Sequence, residues 1–301
     1  MRFLIKIVKE WTLPVAMFIG FLGYRRLGAL SEVIPVLIFC MLLLTFCNMD
    51  FRRIRLTKLQ LWLLFIQVFA SVAVYYLIAP FSKIVAQAVM ICIIAPTATA
   101  AAVITYKLRG NTGEVALYTL FSNLMAAVVA PIFFPIISPI HTELSFGQTF
   151  FQIFKKIVPL LISPFLLAFV LRRWFPYANR KLMSISYMAF YLWAIALTIA
   201  IAQTVKTTIE NPPDLRLGLW IAFGSLTACV AAFIIGKLVG QRYGERIAGG
   251  QALGQKNTII AIWLAHSYLL PLAALGAGFY ILWQNCINSW QLYRERKRAL
   301  D

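Results

Sequence analysis

The residues with the most chemical potential in this chain lie inside apolar runs. Gly254-Gln255-Lys256-Asn257-Thr258 places an ionisable lysine within an otherwise apolar stretch. An ionisable side chain inside a membrane span is costly, so it is a functional candidate by default. The other reading of Lys256 is a side chain that snorkels to the interface from a helix end. A second stretch, Ala95-Pro96-Thr97-Ala98-Thr99-Ala100, puts a proline and two hydroxyls in the middle of an apolar run. Thr97, Thr99, Asn257 and Thr258 are expected either to line a cavity or to cap backbone groups freed where the helices break. His266 follows the stretch that holds Lys256 and is read either as a proton relay or as a hydrogen-bonded structural residue.

Other chemistries find little support. Asp50, Asp214 and Asp301 are the chain's aspartates, and none is paired with another. A membrane phosphotransferase or protease needs clustered carboxylates, an activated nucleophile or a His-rich metal site, so the chain is not expected to be an enzyme. Cys40, Cys47, Cys92, Cys229 and Cys286 form no CxxC pair, and His141 and His266 are far apart. No metal and no cofactor is expected. A GxxxxGK[ST] phosphate loop is absent, which leaves ATP-driven pumping unsupported.

The elements that must position these residues follow from composition. Of 301 residues, 61% are hydrophobic and 13% charged, with a formal net charge of +18. Soluble domains are about 45–50% apolar and about 25% charged. The chain is therefore expected to be an all-α integral membrane protein whose function lies within the bilayer. Apolar runs predict ten spans: 11–24, 32–49, 59–80, 84–105, 115–138, 150–171, 182–205, 217–239, 248–266 and 269–290.

Charge distribution tests that count. With the N-terminus in the cytoplasm, the inside segments hold twenty Lys and Arg, and the outside segments seven. Arg52, Arg53, Arg55 and Lys58 form one inside cluster; Arg294, Arg296, Lys297 and Arg298 form another. Both are read as topology signals beside anionic lipid rather than as a nucleic-acid surface. Both termini are expected to be cytoplasmic. The spans divide into two groups of five, 1–143 and 144–301, the second ending in the basic tail. Each group has its broken member in fourth place, and an odd number of spans per repeat implies inverted topology. Matching interruptions in two halves are the best sequence pointer to a transporter's binding site.

Several stretches resemble the bile acid:sodium symporter family. They are Met41-Leu42-Leu43-Leu44-Thr45 followed by Asp50-Phe51, Ala95 to Val103 continuing to Tyr106 and Arg109-Gly110, Gly254-Gln255-Lys256-Asn257 with Leu264-Ala265-His266, and Trp283-Gln284-Asn285. The resemblance implies ten transmembrane helices in two inverted five-helix repeats, with helices 4 and 9 broken and crossing at the substrate site. It implies secondary transport of organic anions coupled to sodium, in a bacterial inner membrane.

Departures from the family pattern matter as much. The usual Ser-Asn after the fourth-span break corresponds to Ala101 and Ala102. The ninth-span carboxylate shared by two sodium ions corresponds to Ala252, and the glutamine four residues later to Lys256. The Ser and Thr of span five fall near Ala126 and Ala127, or a slipped register brings in Ser122 and Asn123. Gln67 in span three matches a retained sodium ligand. Sodium wants several hard oxygens and usually a carboxylate, so neither sodium site is expected to survive. Lys256 is then expected to act as a fixed cation standing where sodium would sit, or to exchange a proton during the cycle. The expected function is sodium-independent transport of a small or amphipathic organic anion by alternating access. A sensor of the same fold without flux, and a sodium symporter with relocated ligands, remain as alternatives.

Overall fold

The computed structural model describes residues 2–49, 54–138 and 145–298. Asp50, Phe51, Arg52, Arg53, His141, Glu143 and Asp301 lie outside the described residues, as do the side chains of Arg2, Lys6, Lys9 and Glu10. The described chain is helical, with one isolated backbone bridge and no strand.

The chain forms two units. The first comprises Met1–Asn48 and Ser163–Pro213. It contains α1 (Arg2–Leu22), α2 (Tyr24–Leu27), α3 (Ile34–Cys47), α9 (Pro176–Ser184), α10 (Met188–Glu210) and the later part of α8 (Phe146–Trp174). Its packing depends on small residues. A side chain at Gly20 would run into the Thr198 carbonyl and Ile201, and one at Gly28 would press on Ala202, so these glycines let α1 and the turn after α2 lie close to α10. Phe46 on α3 meets Phe165 on α8 edge to face at 5.9 Å.

The second unit comprises Met49–Ile162 and Asp214–Asp301. It holds α4 (Lys58–Ile78), α5 (Lys83–Ile94), α6 (Ala100–Lys107), α7 (Thr112–Ile137), the start of α8, α11 (Leu215–Gln241), α12 (Arg246–Gly254), α13 (Thr258–Tyr268) and α14 (Ala274–Arg298). Local chemistry sets the helix starts. Thr57 and Gln60 form a reciprocal capping box at α4. Ser82 caps α5 and Asn111 caps α7 through their side-chain oxygens.

Both expected mid-span breaks are present, with different causes. Pro96 has no amide proton and disfavours helical geometry in the residue before it. Ala95 is accordingly extended (φ −51°, ψ 139°), and α5 ends at Ile94. The second break has no proline. There Gln255 is extended (φ −93°, ψ 97°), and Asn257 restarts the chain as the cap of α13, its Oδ1 accepting from the Ile260 amide at 3.3 Å.

Among the described residues, six helices are long and apolar enough to cross a membrane: Tyr24–Cys47, Lys58–Ile78, Thr112–Ile137, Phe146–Trp174, Met188–Glu210 and Leu215–Gln241. Trp11–Leu22, Lys83–Ile94 and Thr258–Tyr268 are shorter apolar helices. Six of the ten expected spans are thus long and apolar enough as single helices. Two of the others are broken into half-length helices. A third, within α14, carries Gln284, Asn288 and Gln291 turned into the interior.

Candidate functional site

The two breaks of the second unit meet each other. Thr97 and Lys256 form a single antiparallel bridge. The Ala98 amide donates to the Gln255 carbonyl at 2.9 Å, and the Asn257 amide donates to the Pro96 carbonyl at 2.7 Å. Breaking a helix inside a membrane frees donors and acceptors that water cannot reach. Here the two freed segments satisfy part of each other's demand.

Side chains from neighbouring helices supply the rest in matching fashion. The Thr97 amide donates to Ser122 Oγ on α7 at 3.0 Å, and the Lys256 amide donates to Gln284 Oε1 on α14 at 2.9 Å. The carbonyls released at the end of α5, Ile94 and Ala95, both accept from Gln67 Nε2 at 2.9 Å. The carbonyl released at the end of α12, Gly254, accepts from the Tyr280 hydroxyl at 2.8 Å. Thr97 Oγ1 donates to the Ala252 carbonyl at 2.6 Å.

Gln67 is the key of the first break. Its oxygen accepts from the Tyr118 hydroxyl at 2.7 Å while its amide holds two carbonyls, and the residue is fully buried. Gln67→Leu would orphan three buried polar groups at once. Each costs about 1–3 kcal/mol when left unpaired, so a loss of about 3 kcal/mol or more is expected, read as a fall in melting temperature of the purified protein.

Lys256 differs from every group around it. It is 1% exposed, and its Nζ has no hydrogen-bond partner. The side chain therefore does not snorkel to a surface. Lys256 lines one end of a cavity of about 940 Å³, with Gln67 and Leu253. The cavity runs between α4, α5 and α11 to Ser82, Asp214 and Arg216.

The remaining expected residues sort by position. Asn257 and Thr258 are buried at the second break, where Asn257 spends its oxygen on the α13 cap. Thr99 is half-buried at the start of α6, and its side chain makes no cap bond there. Thr97, Thr99, Asn257 and Thr258 do not line the cavity, so cavity lining passes to Lys256 and Gln67 alone among the expected residues. His266 sits in the last turn of α13, roughly 12 Å of helix from Thr258. The structure does not bring it into the cavity.

The residues aligned with sodium ligands are committed elsewhere. Ala252 is buried in an apolar cluster with Leu59, Leu63, Tyr118, Ala232 and Leu253. Ala101 packs with Val115 and Ala248. Tyr118 and Tyr280 were not singled out from sequence, Ser122 entered only through a slipped register, and Gln284 only within Trp283-Gln284-Asn285. Their signal was available: a tyrosine hydroxyl or an amide within an apolar run must find a buried partner.

Residues 35–211 match the sodium bile acid symporter family, a stretch that includes Gln67 and the first break and stops short of Lys256. No curated protein matches the chain. More than half of the chain is covered, and it belongs to the sodium bile acid symporter family.

Proposed function

We propose that this chain is a secondary transporter of a small or amphipathic organic anion, that it works by alternating access, and that it does so without sodium. The observation that carries the reading is Lys256, a buried lysine whose Nζ has no hydrogen-bond partner, at the meeting point of two broken helices. A built-in positive charge offers an organic anion the partner that a bound sodium ion otherwise supplies. The apolar surroundings of Ala252 support the loss of sodium, because a carboxylate-free cluster gives a hard cation nothing to bind. Exchange of a proton at Lys256 is the coupling this arrangement suits.

The matched bonding of the two breaks supports the inverted-repeat reading, 1–143 and 144–301. Ser122 does for Thr97 what Gln284 does for Lys256. Counting α5 with α6 as one span, and α12 with α13 as another, is consistent with ten crossings. The proposed location is a bacterial inner membrane with both termini cytoplasmic, in keeping with the alternating basic segments.

A second reading has an observation behind it. Asn123 Oδ1, Gln251 Oε1 and Gln255 Oε1 are buried oxygens without hydrogen-bond partners. Neutral oxygens of this kind are what relocated sodium ligands would use. Melting the purified protein in sodium chloride against choline chloride separates the two. An ion held at about 100 times its dissociation constant adds about 2.7 kcal/mol. No sodium-specific rise is expected; a clear one assigns the chain to sodium symport. In proteoliposomes, uptake of labelled organic anions should proceed equally in either salt.

A further inference from the structure

The cavity that ends at Lys256 has a particular shape and a particular charge. Its walls are almost wholly apolar, from α4, α5 and α11. Leu77, Phe81, Trp220 and Phe223 line it and are exposed, so its long side presents an apolar rim. The groove is narrow where α5 meets α11, because a side chain at Gly224 would run into Val89. From Ser82 to the first break it follows the full length of α5, about 18 Å for its 12 residues. Its inner end holds one ammonium with no partner.

We infer that this cavity takes a single-chain fatty carboxylate, its head against Lys256 Nζ and its alkyl chain along α5 towards Ser82 and Asp214. One carboxylate supplies the charge and the acceptor that Nζ lacks, and forms a charge-assisted hydrogen bond in a dry site. A phosphate would bring more charge than the one cation at the inner end balances, since Arg216 lies at the opposite end beside Asp214. A phospholipid acyl chain would bring no charge to the buried end at all. The apolar walls favour a long hydrocarbon body over a compact polar anion. The inference deepens the proposed function and rests on Lys256 as the anion-binding cation.

The test is equilibrium binding of labelled palmitate to the full chain in detergent. Wild type, Lys256→Met and Thr227→Trp are compared, with cetyl alcohol as the uncharged competitor. Thr227 lines the cavity from an exposed position, so a tryptophan there fills the groove without entering the packed interior. Saturable binding is expected, weaker by roughly tenfold to a hundredfold in Lys256→Met and lost in Thr227→Trp at an unchanged melting temperature. Cetyl alcohol is expected not to compete. Binding that neither substitution alters, or that cetyl alcohol displaces as well as palmitate does, overturns the inference. Benzoate flux in proteoliposomes separates this result from the function proposed above. Lys256-dependent benzoate flux without palmitate binding sinks the fatty-acid site and leaves the transporter. Palmitate binding with no flux of either anion does the reverse.

Discussion

Lys256→Met is expected to raise the melting temperature of the protein while abolishing its transport. The native lysine holds its Nζ in an apolar interior with no partner. Burying an ionisable group without a hydrogen-bond partner is costly, and an apolar residue of similar volume removes that cost. Methionine keeps the length of the side chain, and the Lys256 amide keeps its bond to Gln284, so the meeting of the two breaks is preserved. Flux of an anion that depends on the ammonium is lost. Thermal melts in detergent and uptake in proteoliposomes, run on the same preparation, read both effects. A fall in stability, or uptake at the wild-type rate, would remove Lys256 from the centre of the mechanism. Stability and activity moving in opposite directions would mark a residue kept for function at the expense of the fold.

Gly249→Val is expected to prevent the protein from folding. Gly249 on α12 faces Gly236 and Gly240 on α11, and a side chain at Gly249 would collide with the Gly236 carbonyl. The obstacle is backbone on both sides, so no rotamer change relieves it. Small residues that let helix backbones approach are the usual device for packing within a membrane. Here α12 leads directly into the second break, so the glycine contact also sets where Lys256 stands. The expected cost is about 3 kcal/mol or more, seen as loss of the monodisperse peak on size exclusion in detergent. Gly218→Ala on α11 is the control. Open space surrounds Gly218, and a shift within about 0.5 kcal/mol is expected there.

The two breaks were legible in the sequence because each has a local cause: Pro96 in one, Gly254 with the Asn257 cap in the other. Lys256 stood out because charge inside an apolar run is rare. Its environment was not legible. The bond from Thr97 to the Ala252 carbonyl joins residues 155 positions apart, and no local pattern announces it. The cavity eluded the sequence for the same reason, since its walls come from three helices that are apolar all round. At α14 the span expected from sequence carries Gln284, Asn288 and Gln291, which lower the hydropathy of a helix that turns them inward. The repeats expected from sequence order, 1–143 and 144–301, are a different partition from the packed units, each of which is assembled from two separate stretches of chain.

The bridge between the breaks has a kinetic consequence. The amides of Ala98 and Asn257 are bonded to carbonyls of the opposite segment, so their protons can be traded for deuterium only when the two segments part. If the second unit moves as a rigid body during the transport cycle, these two amides should exchange no faster in a cycling protein than in an arrested one. If the segments separate in each turnover, exchange should keep pace with the number of cycles completed. Two backbone protons thus act as a turnover counter, distinguishing a carrier that swings a rigid body from one that opens its own seam.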